Sequence, residues 1–426
     1  MKSSLGWIDF SSEHRDRVRT VIDLLKAPGV VDELGIGVIR DAFSDTLFPG
    51  LSTIQTRPKY FIIVPRILKE YEGLTDRKRG RIPLRDHLAE QELACRVMLA
   101  KRYHEQEGLG IIGVTFGERT DTDVQRRPSS VYWNGLRAFG LVKSDGALAD
   151  FYRRHSGHQP SIRLRLEEGR ETMGDDFDAE DLDAGPVVAP PSVEDWMEDL
   201  AITLTKDEAV FLRQKVCACQ PDSLIGQLLL DEDLADAVVD LGDSAAFTDL
   251  VALLEDRTFT HVQTLRVAQM ARDFWRILYG AHLRYNVLLQ ARFGSEGRKS
   301  EYEEKWIAWR GEMATFDWGT WKDEDLWQLV SNHGGHPHPW TRTFINSWLD
   351  VSRQADASDS VFDNLVVNQE TQNKRSRSRL RADNKGERVD GWLGIRNLEY
   401  RMPQVWQFVA DIRRAERGEA DPDVGL

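Results

Sequence analysis

Three imidazoles fall within six residues at His333-Gly334-Gly335-His336-Pro337-His338. Histidines so close in a loop can approach one transition-metal ion, and Cys217-x-Cys219 has thiolates to add. A structural zinc site ordinarily pairs one C-x-x-C with a second spaced pair, a pattern missing from the sequence. The expectation is therefore no metal and no cofactor, with His333, His336 and His338 as the candidate ligands of a metal-dependent nuclease. Glu303-Glu304-Lys305 has the residue types of half a magnesium site, two carboxylates and a lysine. Its neighbourhood, 301–309, reads as a helix, where such residues are surface charge. The sequence contains no Gly-x4-Gly-Lys-Ser/Thr loop, no Gly-x-Ser-x-Gly elbow and no His-Glu-x-x-His. No catalytic residue is assigned.

Phosphate binding is the other chemistry the residues suggest. Lys374-Arg375-Ser376-Arg377-Ser378-Arg379-Leu380-Arg381 is the strongest basic run, and 374–401 hold nine Lys+Arg against four Asp+Glu. Guanidinium forks fit phosphate oxygens, and alternation puts Arg375, Arg377, Arg379 and Arg381 on one side of an extended segment. A second group, Arg126, Arg127, Arg137 and Lys143, surrounds the segment 128–142. There Ser129 is the expected N-cap of a short helix, with Val131, Leu136 and Phe139 on one face. Gly140 suits the left-handed residue that closes it. A capped helix followed by Gly-Leu-Val is how winged-helix domains pass from the recognition helix to the wing, and that helix lies in the major groove. A third basic stretch, 57–81, contains Arg57, Lys59, Arg66, Lys69, Arg77, Lys78, Arg79 and Arg81. Its end, Arg77-Lys78-Arg79-Gly80-Arg81, reads as a solvated turn.

These groups sit in an acidic chain of 426 residues with a formal net charge of −14. The acidity is local. Residues 1–170 net +5, 171–260 net −19, and 261–426 net zero. Eleven acids and no Lys or Arg fall in 171–199, together with the run Gly185-Pro186-Val187-Val188-Ala189-Pro190-Pro191. Charge repulsion and proline mark 169–191 as a linker between a domain at 1–168 and another at 192–426. Three cysteines fit a reducing cytoplasm. The apolar runs are too short to cross a bilayer, and the opening MKSSLGWIDF has no signal-like apolar core.

The elements that must carry these residues read mainly as helices. Ser11 or Ser12 caps a first helix with Val18, Val21, Ile22 and Leu25 on one face, and a second covers 32–47. Phe61–Val64 is apolar all round and could be a buried strand or a buried helix with Pro65 inside it; period cannot decide so short a run, and the flanking pattern leans to helix. A long helix covers 84–104. Ser192-x-x-Asp195 and Thr205-x-x-Glu208 resemble capping boxes. A helix over 261–293 carries Arg266, Arg272, Arg276, Arg284 and Arg292 against Asp273 alone; its arginines can track a phosphate backbone or pair with the acidic segment before it, and the second option ranks first. Seven tryptophans within 306–348 suit a core or a protein interface. A last helix covers 404–417. The fold class is mainly α, with a winged-helix-like module in the N-terminal half and a helical C-terminal half.

Several blocks carry a resemblance. They are Gly6-Trp7-Ile8-Asp9-Phe10-Ser11, Asp32-Glu33-Leu34-Gly35-Ile36-Gly37, Gln55-Thr56-Arg57-Pro58-Lys59-Tyr60-Phe61, Val131-Tyr132-Trp133-Asn134-Gly135-Leu136 and Tyr400-Arg401-Met402-Pro403-Gln404-Val405. Across almost the whole chain they resemble an uncharacterised bacterial domain-of-unknown-function family. The resemblance implies a component of gene clusters that act on DNA, including antiviral defence islands, beside helicases and nucleases. The expectation is a non-enzymatic, cytoplasmic subunit that binds duplex DNA or nucleoprotein within a defence complex, with other protein subunits as partners and no membrane. The alternatives are an adaptor docking through its tryptophan-rich region and the metal-dependent nuclease above.

Overall fold

The computed structural model describes residues 32–104, 106, 108–114, 124–155, 185–191, 195–257, 259–384, 386 and 388–420. The helix expected after Ser11, the Ser192 cap and most of the 169–191 linker lie outside the described residues. Helices dominate: α1 Gly37–Leu47, α2 Tyr60–Gly73, α3 Asp76–Arg79, α4 Leu84–Arg102, α5 Pro128–Ala138, α6 Leu148–His155, α7 Lys206–Cys219 and α8 Leu224–Leu230. They continue as α9 Glu232–Asp240, α10 Phe247–Asp256, α11 Val262–Phe293, α12 Glu296–Thr315, α13 Asp323–Asn332, α14 Pro339–Ser352, α15 Asp359–Lys374 and α16 Met402–Arg417. No described helix is long and apolar enough to cross a membrane.

The chain is thus mainly α, but the winged-helix module is not confirmed. A wing needs strands, and the described residues contain only an isolated antiparallel bridge, Val142 to Val187. Val187, from the stretch read as linker, is buried there, and Val188 N donates to Leu141 O at 2.9 Å. The helix cap also differs. Arg127 occupies the N-cap and Pro128 the first turn of α5. Ser129 is instead bound to the buried Glu92 carboxylate, by its backbone N–H at 2.5 Å and its hydroxyl at 3.2 Å. A carboxylate at that end of a helix is favoured by the macrodipole. Gly140 is left-handed as expected, with φ +65°.

The described structure forms two compact units, Met1–Ser44 with Thr260–Tyr400 and Asp45–Phe259 with Arg401–Leu426. In the first, α11 packs against α12, α14 and α15. The filling is aromatic. Trp306 and Trp309 stack at 4.8 Å between centroids, and Trp348 lies 5.1 Å from Phe362. Each indole N–H has an acceptor, Asp359 for Trp306, Arg276 O for Trp309 and Ile277 O for Trp348. Gly280 is required at this contact, since a Cβ there would run into the Trp309 ring. Five of the seven tryptophans are buried, so this region is core and offers little docking surface. The arginines of α11 also find partners other than the acidic segment. Arg266 pairs with Asp325, Arg276 with Glu312 and Asp273, and Arg284 with Asp363. Those acids are on α11 itself, for Asp273, or on later helices of the same unit.

In the second unit Phe61, Phe139 and Phe408 meet at 5.0–5.8 Å, and Tyr132 joins them edge-on. Phe61–Val64 is helical and buried on every side, with Pro65 inside α2. The Tyr132 hydroxyl accepts from Thr56 N and Arg57 N and donates to Arg57 O. Gly135 lies against Phe61 and Gly50 O, where a Cβ would clash. Thr205 caps α7 through the expected box with Glu208. That same carboxylate receives Lys59 Nζ and Arg66 Nη1, each at 2.6 Å, and Arg57 Nε lies 2.8 Å from Asp411. Arg57 and Lys59 are thus buried structural cations.

Burial pushes the Glu208 carboxyl up, but Lys59, the Thr205 N–H and Arg66 outweigh it and leave it below the usual range. A folded-state value below the unfolded one adds stability above the unfolded value of about 4.3, lost as pH falls through the folded value. Glu208→Gln should therefore destabilise by about 3–5 kcal/mol at neutral pH, because Lys59 is left buried against a neutral group. It should also flatten the acid limb of a urea-unfolding series measured against pH.

Candidate nucleic-acid interface

The basic run 374–381 lies in the first unit, at the end of α15, where the chain stops being helical. Lys374 closes the helix and pairs at 3.0 Å with Glu33, a nearly buried carboxylate. Burial raises the Glu33 pKa, with Lys374 pulling the other way. The next residues, Arg375–Arg377, form one 3-10 turn. The turn is fastened from below by Glu370, which is completely buried. Its carboxylate accepts from the Ser378 hydroxyl, from Arg379 N at 2.7 Å and from Leu380 N at 3.4 Å. Arg292 grips the following segment, donating to the carbonyls of Leu380, Ala382 and Asn384 at 2.7–3.0 Å. Asn384 Nδ2 donates to Ser378 O, and Arg381 N to Ser378 Oγ. The turn is therefore built in place by acceptors beneath it.

Its four arginines divide by what holds them. Arg379 is half-buried and close enough to Glu33 to lower its carboxyl. Arg381 is exposed and forms a fork with Asp383, which lies 2.5 Å from Nη2. Arg375 and Arg377 are exposed, and among the described residues neither has an ion-pair partner. Arg375 also has φ +53°. A non-glycine residue there carries strain of about 1–3 kcal/mol, which the surrounding bonds must sustain. The run is neither a strand nor a helix, so neither the alternating face nor the i, i+4 pair describes it. What results is a held turn presenting two guanidinium groups to solvent.

The other predicted group lies in the second unit. Of α5, only Ser130 and Asn134 are exposed, so the helix turns most of its side chains inward. Arg137 is half-buried and donates from Nε to Ser144 O at 2.6 Å. Lys143 is exposed, and its backbone N–H donates to Pro186 O. Arg126 and Arg127 are half-buried before the helix. The four thus lie around one helix but do not share one role, and Arg137 ties down the loop after it.

The histidine loop does not gather. His333 closes α13, Gly334 is left-handed and His338 is the N-cap of α14, so the imidazoles are spread along a connection between two helices. Among the described residues no group of three or more His, Cys, Asp or Glu could hold a metal ion. Cys217 and Cys219 belong to the other unit. Glu303 and Lys305 are helix-surface charges, paired with Lys299 and Glu301. The nuclease reading thus lacks its metal ligands among the described residues. The residues that reasoning from sequence missed are Glu370 and Glu33. A lone glutamate inside a polar helix carries no local mark, although Asp32-Glu33-Leu34 did belong to one of the quoted blocks.

Replacing Glu370 by Ala should lower the melting temperature by several degrees, because the Ser378 hydroxyl and two N–H groups lose a buried acceptor. Hydrogen exchange should then speed up at residues 376–384 beyond the rest of the first unit. Uniform exchange across that unit would contradict the local role.

Residues 2–416 match the model of a family described as a family of unknown function, DUF6361. No curated protein and no solved structure matches the chain.

Proposed function

The chain belongs to DUF6361, a family of unknown function, and from its geometry we propose that it is a binding subunit for nucleic-acid phosphate, duplex DNA first, with Arg375 and Arg377 as primary contacts. The observation that carries this reading is the Glu370-anchored turn. Among the described residues the two exposed guanidinium groups have no ion-pair partner, and they sit on a turn that begins at the left-handed Arg375 and runs into a segment bonded to the buried Glu370. A backbone already held in place loses less freedom on meeting a phosphate, and guanidinium geometry matches phosphate oxygens. Arg379 and Arg381 extend the same charge, although Asp383 competes for Arg381. In the second unit, taken by itself, Arg126 and Lys143 are further phosphate-seeking cations, while Arg137 acts through its loop. The net charge of −14 does not oppose this, because local potential at the contact decides and the acid excess lies in 171–260. A DNA-binding subunit of this kind would work in the cytoplasm with catalytic partners such as a helicase or nuclease, within a defence complex.

Binding to a labelled duplex, followed by anisotropy across a salt series, tests the reading. The affinity of the native chain should fall steeply with salt. Arg375→Ala with Arg377→Ala should reduce both affinity and salt slope, the slope by about 0.9 for each phosphate contact removed. Native binding that ignores salt, or a double variant that binds as tightly as the native chain, would remove the turn from the interface.

A further inference from the structure

The basic stretch 57–81 divides sharply once its partners are known. Arg57, Lys59 and Arg66 face buried acids. Lys69 pairs with Glu72 and Arg79 with Asp76. Arg77, Lys78 and Arg81 remain exposed, and Arg85, four residues beyond Arg81, is exposed in the first turn of α4. Among the described residues none of these four has an ion-pair partner.

The loop that carries them is held. The Tyr71 hydroxyl donates to Ile82 O at 2.9 Å, and Arg81 N and Ile82 N both donate to Lys78 O. The cations therefore ride on a closed turn at the start of a long helix. Both α4 and α5 pack against α6, which brings Tyr152 to that junction. Burial pushes the Tyr152 hydroxyl up to about 12, with a Ser129 hydrogen bond, Arg127 and Arg85 pulling it down. Glu92 of α4 also accepts from Ser129 in the first turn of α5, so the start of α5 lies against α4 in the second unit. Asp86 and Glu90 are the exposed acids on the first turns of α4. The positive end of the α4 dipole adds to the cationic potential there.

We propose that Arg77, Lys78, Arg81 and Arg85, with Arg126 and Arg127 at the edge, form a second surface for the phosphate backbone of duplex DNA. This rests on the nucleic-acid reading above and adds residues to it. Cations spread along a held loop and a helix start suit a repeating phosphate chain. A lipid surface would need apolar side chains beside them, and the loop offers Ile82, only 37% exposed.

The test uses the full chain, a short labelled duplex and vesicles of anionic and neutral phospholipid. Arg81→Glu with Arg85→Glu should weaken duplex binding about tenfold or more and make the salt slope shallower by about two contacts. The neutral pair Arg81→Gln with Arg85→Gln should move both in the same direction by less, with an unchanged melting temperature. If both pairs bind like the native chain while Arg375→Ala with Arg377→Ala is weakened, the second surface falls and the DNA reading stands. If the native chain binds no duplex even at low salt, both fall. If it binds anionic vesicles through these residues and no duplex, the surface belongs to a membrane and the proposal is overturned.

Discussion

A carboxylate removed from water must be met by cations or N–H donors, or it does not remain charged inside a protein. Glu33, Glu208, Glu370 and Asp411 all meet that demand with basic residues or with the backbone of a basic segment. Glu208 joins α7 to Lys59 and Arg66 near and within α2, and Asp411 fixes Arg57 just before it. Glu370 shapes the turn after its own helix. In each unit, then, the position of a basic segment follows from where an acid has been buried.

This constraint sorts the arginines. Those matched to interior acids are part of the framework, and their loss would strand a charge. Among the described residues Arg375, Arg377, Arg77, Arg81 and Arg85 are exposed without an ion-pair partner, the first two in one 3-10 turn and the others along α3, the loop after it and the first turn of α4. The two settings resemble each other physically. In both, a hydrogen-bonding side chain pins the loop from its buried side, Glu370 in one and Tyr71 in the other. Exposed charge on a pinned loop stays at one place on the surface, so less backbone freedom is lost when it meets a phosphate.

Helix positions were largely legible because they depend on local pattern. The Thr205–Glu208 box, the long α11 and the closing α16 appear near where periodicity and caps placed them, and Phe61–Val64, which period alone left between strand and helix, is helical. The wing was not legible. Gly140 did adopt the left-handed turn, but whether the next residues find a strand partner depends on distant chain, and Val187 supplies one bridge. Ser129 shows the same limit on a smaller scale. Its type suits a cap, yet Glu92, 37 residues earlier, claims both its N–H and its hydroxyl. The clustered tryptophans were read as core or interface, and burial shows five of them to be core.

The sequence by itself determined helical character, the approximate places of most helices, and the uneven distribution of charge, because each follows largely from residues within a few positions of one another. Tertiary structure alone decided which cations are interior and which face solvent. Arg57 and Arg77 are the same residue type in one basic stretch, yet one lies against Asp411 and the other in water. It also decided that three histidines within six residues do not form a ligand set. Burial and pairing are relations between segments far apart in the chain, so only packing can assign them.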